Sequence, residues 1–149
     1  MAKGEIKRLE GKMDWIKCHP DFPEEYEGRK SWSVTLHPTK DSLETIRDMQ
    51  ADGIKNVVKR GDTPGDYYVK FSRKTEKTTK SGKVLEKYDA PKVYLPDGSV
   101  FDNKKLLGNG CEGIVEVDFY QGVSTKGKYQ VATLDAIRLN KVVYYGETS

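Results

Sequence analysis

Three glycines in the sequence have the spacing of a dinucleotide-binding loop. Gly108, Gly110 and Gly113 spell G-x-G-x-x-G, a pattern that holds a pyrophosphate when a strand precedes it and a helix N-terminus follows it. Here the residues from Val115 to Tyr120 alternate between apolar and polar types, which is the period of a half-buried strand. The context therefore argues against a dinucleotide site and indicates glycines that lead into a strand.

Residues that could carry catalysis or bind a metal do not form a recognisable pattern. Four have the chemistry of zinc ligands: Cys18, His19, His37 and Cys111. They lack the short paired spacings that position ligands, so we interpret the cysteines as reduced thiols and the histidines, each followed by proline, as structural. Glu116 and Asp118 share one predicted strand face, but a hard metal needs more oxygen ligands than two. The sequence predicts no catalytic residue, no metal and no cofactor.

The positive charge of the chain is concentrated in its centre. The 149 residues carry a net charge of +3, and 33% of them are charged. Residues 54–92 contain eleven basic and five acidic side chains, so the positive excess lies there. Such local asymmetry is typical of a surface that binds a polyanion, with a solvated lysine-rich loop as the alternative. No apolar stretch has the length of a membrane span or of a signal peptide core, so we expect a soluble cytosolic protein.

Alternating apolar and polar residues predict about six strands. The predicted strands cover residues 12–18, 32–36, 67–72, 92–95, 115–120 and 131–139. The turn "STKGK" at Ser124–Lys128 joins the last two as a hairpin. One helix is predicted at about residues 41–52, with Thr39 or Asp41 as its N-cap and Gly53 at its C-terminal end.

The segment at about residues 74–90 has no apolar period and is rich in Lys, Thr, Ser and Gly, so we predict a long basic loop or a flexible hairpin. These elements favour a mainly β fold in a single domain, residues 1–149. The predicted architecture is an OB-fold-like small antiparallel barrel of five or six strands with one inserted helix. A β-sandwich is the structural alternative.

Basic and aromatic residues are interleaved in the stretch "YYVKFSRK", which places Tyr68, Lys70 and Ser72 on one strand face. Single-stranded nucleic acid is bound by this combination, because aromatic rings stack on bases and cations contact phosphates. In any strand, however, one aromatic face normally belongs to the core. The candidate binding residues are Tyr68, Lys70, Lys74, Trp15, Trp32, Lys126, Lys128 and Tyr129.

Five stretches in order resemble a known family. They are "SWSVTL" at Ser31–Leu36, "DGIKNVVKRGD" at Asp52–Asp62, "YYVKFSRK" at Tyr67–Lys74, "GNG" at Gly108–Gly110 and "LDAIRLNKVVYY" at Leu134–Tyr145. Together they are similar to the single-stranded DNA-binding proteins of podovirus-type bacteriophages, which are OB-fold replication proteins. The resemblance implies that the Gly-Asn-Gly turn begins a barrel strand. It also implies a binding groove that contains Arg73, Lys55, Lys59 and Arg60.

The resemblance further implies a function and partners. The expected function is to coat and protect single-stranded DNA during phage replication, recombination and repair, without catalysis, in the cytoplasm of the infected bacterium. Phage polymerase and helicase-primase are expected partners, together with a second copy of the chain, and no membrane. The family has an acidic C-terminal tail, whereas the last residues, "VVYYGETS", contain only Glu147 as an acid.

The residues themselves leave three other functions open. An RNA-binding OB-fold protein would use the same groove, because the distinction depends on the 2′-hydroxyl. A nuclease is disfavoured by the missing carboxylate cluster. A protein-interaction module would keep the fold but would show no salt-sensitive binding to oligonucleotides.

Overall fold

The structure is a computed structural model. It describes residues 5–21, 23–26, 29–79, 81–102, 106–125 and 127–145. The described elements are β1 (Glu5–Lys17), β2 (Glu24–Tyr26), β3 (Arg29–Pro38), α1 (Lys40–Ala51), β4 (Lys59–Arg60), β5 (Tyr67–Lys74), β6 (Glu76–Thr78), β7 (Val84–Lys87), β8 (Lys92–Tyr94), β9 (Cys111–Ser124) and β10 (Gly127–Lys141). Among these residues, no helix has the length and apolar character needed to cross a bilayer.

Eight of the strands form one curved sheet. Its order is β4-β5-β3-β1-β9-β10-β8. Strand β2 lies off this path and pairs with β3. Neighbouring strands are antiparallel except β8 and β10, which are parallel. Residues of β10 also come within 8 Å (Cα–Cα) of residues of β5, so the sheet bends round towards its own start. No ladder joins those two strands in the described residues, and the sheet is therefore open rather than a closed barrel.

The mainly β, OB-like fold with one helix is confirmed. The five long strands β1, β3, β5, β9 and β10 correspond to five of the six predicted strands and extend well beyond several of them. They form the central part of the sheet, β5-β3-β1-β9-β10. The sixth predicted strand, at residues 92–95, is the short strand β8. The short strands β2, β4, β6 and β7 are additions to the predicted set.

Apolar side chains of alternate residues fill the concave side of the sheet. Val34 and Leu36 of β3, Phe71 of β5 and Leu134 of β10 are all fully buried. Each such side chain contributes about 1.5–3 kcal/mol when it leaves water. Because successive residues of a strand point to opposite faces, burying this set turns the residues between them outwards.

Helix α1 covers one end of the core with Ile46 and Met49, which are buried. The Oγ1 atom of Thr39 accepts a hydrogen bond from the backbone N–H of Ser42 at 3.3 Å, so Thr39 is the N-cap. The backbone N–H of Glu10 donates to Ser42 Oγ at 2.7 Å and ties the first turn of the helix to β1. The predicted helix is thus confirmed, and of the two N-cap candidates the structure has Thr39.

The Gly-Asn-Gly turn leads directly into β9, and no helix follows it. Gly110 has φ +99°, a conformation that favours glycine, and its N–H donates to the carbonyl of Met13 at 3.0 Å. A Cβ on Gly108 would lie 2.9 Å from the carbonyl oxygen of Tyr144. These glycines therefore allow close packing and a tight turn, and the pyrophosphate pattern of the sequence is coincidental.

The basic segment after β5 is a hairpin, the second of the two predicted alternatives. Strands β6 and β7 pair only with each other, and the Tyr88 N–H donates to the Thr75 carbonyl at 2.9 Å. Residues 75–88 are called the hairpin arm below, and Lys80 is outside its described part. Val84 and Leu85 of the arm are exposed.

Candidate nucleic-acid interface

The outward faces of β1, β3 and β5 form a polar surface. In the ladder between β3 and β5, Ser33 lies opposite Ser72 and Thr35 opposite Lys70. The alternate pairs, such as Val34 with Phe71, are the core pairs. Since directly opposed residues of an antiparallel pair share one face, the serine, threonine and lysine side chains lie on the face opposite the core pairs. Lys70 and Ser72 are exposed there, whereas Ser33 is buried and donates to Glu24.

A groove of 340 Å³ lies on this outward surface. Its lining residues are Trp15, Lys17, Glu24, Ser33, Thr35 and Lys70. They come from four strands, β1, β2, β3 and β5, so the curved sheet itself positions them. The groove combines one aromatic ring, two cations and two hydroxyl groups.

Trp15 is presented to solvent by an irregularity in β1. The pairing of β1 with β3 shifts register between Asp14 and Lys17, and Trp15 has φ +50°. Its backbone N–H donates to Oδ1 of Asn109, in the Gly-Asn-Gly turn, at 2.9 Å. As a result Trp15 is 60% exposed. An exposed indole beside lysines is a surface on which a base can stack.

Glu24 links the two lysines of the groove. Its Oε2 atom lies 3.0 Å from Lys70 Nζ and accepts a hydrogen bond from Ser33 Oγ at 2.9 Å, while Oε1 lies 3.4 Å from Lys17 Nζ. Burial raises the pKa of Glu24, but the hydrogen bonds from Lys70 and Ser33 and the charges of Lys70 and Lys17 outweigh it. The pKa of Glu24 is therefore lower than its usual value, and its carboxylate is ionised at neutral pH.

His37 connects side chains on the same surface, on the side nearest to β4. Its Nδ1 lies 2.8 Å from Asp66 Oδ1 and its Nε2 lies 3.1 Å from Asp14 Oδ2. The ring of Tyr68 lies 5.7 Å from the imidazole, centroid to centroid. Because both ring nitrogens contact carboxylates, His37 fixes neighbouring side chains in place. The half-buried Tyr68 is opposite Lys59 of β4, which is exposed.

Arg73 contacts the segment that follows the hairpin arm. Its Nε donates to the Asp89 carbonyl at 2.9 Å, and its guanidinium carbon lies 5.4 Å from the centre of the Tyr88 ring. These contacts hold the base of the arm against β5. The resemblance implied that Arg73 lies in the binding groove, but Arg73 does not line the groove formed by Trp15 and Lys70. Its contact with nucleic acid stays a prediction.

The chain is similar to known proteins in its structure. No protein-family model matches the chain, and no curated protein matches its sequence. Among solved structures, gp2.5, a single-stranded DNA-binding protein of bacteriophage T7, has a TM-score of 0.63, 14% identity and coverage of 97% of each chain. The single-stranded DNA-binding protein of bacteriophage Enc34 in complex with single-stranded DNA has a TM-score of 0.60 and 17% identity, covering 95% of this chain and 89% of that one. This chain has the fold of phage single-stranded DNA-binding proteins.

The phage-type fold brings together only part of the predicted residue set. Trp15 and Lys70 line the groove, and Tyr68 lies on the same outward face of β5. Five further predicted residues are exposed: Lys55, Lys59, Arg60, Lys74 and Lys128. Lys126 and the side chain of Tyr129 are outside the described part of the structure. No contact in the described residues joins Lys128 to the groove lining.

Trp32 is not a surface residue of this phage-type fold. It is 4% exposed, and its Nε1–H donates to the His19 carbonyl at 2.9 Å. Its indole is part of the core and presents no face to a base, so Trp32 is removed from the candidate set. The sequence contained this signal, because Trp32 alternates in phase with Val34 and Leu36.

Four of the residues that line the groove were not predicted from the sequence: Lys17, Glu24, Ser33 and Thr35. The phase of "SWSVTL" could have placed Ser33 and Thr35 opposite the core face. Glu24 lies 46 residues before Lys70 in the chain. No local pattern indicates a contact over that distance.

The residues first considered as metal ligands have other roles. Both carboxylate oxygens of Glu116 contact arginines, with Arg8 Nε at 3.0 Å and Arg138 Nε at 2.7 Å. Burial raises the pKa of the Cys18 thiol to about 12 and also raises that of Cys111. Within the described ranges, no group of three or more His, Cys, Asp or Glu side chains is placed to hold a metal.

Proposed function

We propose that the protein is a non-catalytic single-stranded DNA-binding protein of a bacteriophage. It would coat and protect single strands during phage DNA replication and recombination in the cytoplasm of the infected bacterium. The observation that carries this proposal is the exposed Trp15 beside Lys17 and Lys70, on the outward face of the sheet. The likeness to phage proteins that bind single-stranded DNA supports it.

In this proposal the indole and the cations have separate tasks. Trp15 stacks on a base, a contact that accepts all four bases because each has a π-face. Lys17 and Lys70 contact the phosphate backbone of the strand beside it. Lys59 and Arg60 on β4 extend the positive surface beyond Tyr68. Binding of this type depends little on sequence and strongly on salt.

A fluorescence titration with poly-dT at two salt concentrations tests the proposal. Base stacking on Trp15 should quench its emission, whereas the buried Trp32 should be unaffected. The logarithm of the binding constant should fall with the logarithm of salt concentration, with a slope of about −0.7 per phosphate contacted. Absence of salt-sensitive binding would overturn the proposal and would favour a protein-interaction module.

Matched samples identify the other outcomes. Trp15→Phe should still bind poly-dT but lose most of the quenching, since only Trp32 then emits. Poly-U bound as tightly as poly-dT would assign the groove to RNA as well. Cleavage of the oligonucleotide in the presence of a divalent cation would contradict a non-catalytic role. A homodimer and the phage polymerase and helicase-primase as partners stay predictions.

A further inference from the structure

Three hydrogen-bond donors in the groove converge on one anion. Lys17 Nζ, Ser33 Oγ and Lys70 Nζ all lie within 3.4 Å of a carboxylate oxygen of Glu24. Each donor belongs to a long strand of the main sheet, β1, β3 or β5. The ladders thus fix the backbone positions from which the three donors project, independently of Glu24.

The three donors also fit a phosphodiester. A carboxylate and a phosphodiester are both anions that accept hydrogen bonds through two unesterified oxygens, and lysine binds phosphate as a point charge. Ser33 contributes a neutral donor at the base of the site, where it is 2% exposed, while Lys17 and Lys70 remain open to solvent. Trp15 lines the same groove, so a phosphate bound here would have a stacking surface for its base beside it.

Glu24 lies on a much shorter strand than the donors around it. It belongs to β2, a strand of three residues that, among the described residues, pairs with β3 alone. Its side chain is 25% exposed, so a rotamer change moves the carboxylate towards water without breaking the ladder. The carboxylate can therefore leave the three donors while the sheet stays intact.

We propose that Lys17, Ser33 and Lys70 form a phosphate-binding subsite that the Glu24 carboxylate occupies in the free protein and that a phosphate of the bound strand takes over. This inference rests on the proposed function. An intramolecular carboxylate has a high effective concentration, so a single phosphate in solution competes with it poorly. A polynucleotide, which makes several contacts at once, displaces it. Glu24 thereby gives the groove a preference for polynucleotides over mononucleotides.

The test compares Glu24→Gln with Glu25→Gln. Glu25 is the next residue of β2, is exposed, and its loss changes the net charge by the same amount. Removing the competing ion pairs should raise the affinity of Glu24→Gln for poly-dT about three- to tenfold and steepen its dependence on salt. Glu25→Gln should change the affinity less than about twofold, because its exposed side chain points to the opposite face of β2 and its charge is screened by solvent. Binding of thymidine monophosphate should become detectable only in Glu24→Gln.

Other results overturn the inference. An equal gain in both variants would show a general charge effect. An unchanged or weaker affinity in Glu24→Gln would show that Glu24 only positions the lysines. If Glu24→Gln does not fold, Glu24→Asp keeps the charge but shortens the reach, and it must also bind poly-dT more tightly than wild type. Wild-type protein that fails to bind poly-dT at any salt concentration would instead contradict the proposed function itself.

Discussion

Glu24 and Glu116 each contact two cationic side chains, but their surroundings differ. Glu116 lies on β9, which has 14 residues, and its side chain is 6% exposed between Arg8 and Arg138. Glu24 lies on a strand of three residues, and its side chain is 25% exposed between two lysines. The guanidinium of Arg138 is further held 4.3 Å from the centre of the Tyr94 ring.

This difference separates a fixed ion pair from an exchangeable one. Arginine has a planar, preorganised set of donors, so less entropy is lost for each hydrogen bond, whereas lysine is a flexible point charge. A buried carboxylate that loses its partners leaves uncompensated charge, but a carboxylate at an open groove is solvated by water. Glu116 therefore stabilises the sheet, and Glu24 can be replaced by another anion.

The largest expected effect is on stability. Glu116→Ala should lower the free energy of unfolding by about 2–3 kcal/mol, because a charged hydrogen bond from Arg138 and an ion pair with Arg8 are lost at a carboxylate that is only 6% exposed. Urea denaturation measures this. The control is Glu112→Ala on the same strand, whose exposed carboxylate lies 3.6 Å from Lys141 and should be worth less than about 0.5 kcal/mol. Equal losses in the two variants would remove the distinction between buried and exposed pairs.

Next in size is the contribution of the stacking ring beside Glu24. Trp15→Ala should weaken poly-dT binding by about 1–3 kcal/mol, the usual value for one stacked base. Its thermal midpoint should hardly change, because the side chain is already 60% exposed. Trp32→Phe should have the reverse effect of Trp15→Ala. It should lower the thermal stability and leave the affinity for poly-dT unchanged. Isothermal titration calorimetry and thermal melting measure the two quantities separately.

The cationic partners of Glu24 and Glu116 should also differ in their contribution to DNA binding. Lys70→Ala should weaken binding about fivefold and make the salt slope shallower by about 0.7, the value for one phosphate contact. Arg8→Ala removes the cation that pairs with Glu116 and whose side chain is 64% exposed. This variant should leave the salt slope unchanged. A matching loss of slope in Arg8→Ala would extend the interface along β1 to Arg8.

The pH dependence isolates the charge of Glu24. Because its pKa in the folded protein lies below the usual value of 4.5, the ionised carboxylate stabilises the fold above that value, and this stabilisation is lost as pH falls through the folded pKa. The thermal midpoints of wild type and Glu24→Gln should therefore converge at acid pH. The affinity gain of Glu24→Gln should shrink in the same range, measured with poly-dT because thymine does not titrate there. A gain that stays constant while pH falls through the folded pKa of Glu24 would contradict competition by the carboxylate.

The smallest effects are expected on the hairpin arm. Lys77 and Lys83 are exposed, and each single alanine variant should cost only a few tenths of a kcal/mol in affinity at physiological salt, where the screening length is about 8 Å. The triple variant that includes Lys80 should lower affinity and flatten the salt slope, with little change in the thermal midpoint. Loss of all binding in the triple variant would move the interface from the groove to the arm.

The long strands and the helix could be predicted because each repeats its pattern over enough residues. Val34, Leu36, Val69 and Phe71 alternate with polar residues, and this period fixed both the strands and their buried face. Strands β2 and β4, with three and two residues, are too short to show a period. They are held by pairing to β3 and β5, which is tertiary information.

The groove was only partly predictable for a related reason. Lys70, which lines the groove, and Tyr68, which lies on the same outward face, were predicted because they share one strand. The exposure of Trp15 depends on a register shift and on Asn109, and the anion beside it comes from a different strand. Contacts between residues far apart in the sequence leave no local signal.

The hydrogen bond between Trp15 and Asn109 also determines when the stacking surface can form during protein synthesis. Asn109 follows Trp15 by 94 residues, and β1, the central strand, pairs with β9 as well as with β3. Long-range closure of this kind is slow, because a large loop must be ordered before its contacts form. On the ribosome, the segment that holds the indole in place emerges only after most of the chain has been translated. A nascent chain still attached to the ribosome therefore lacks the finished stacking surface until late in translation.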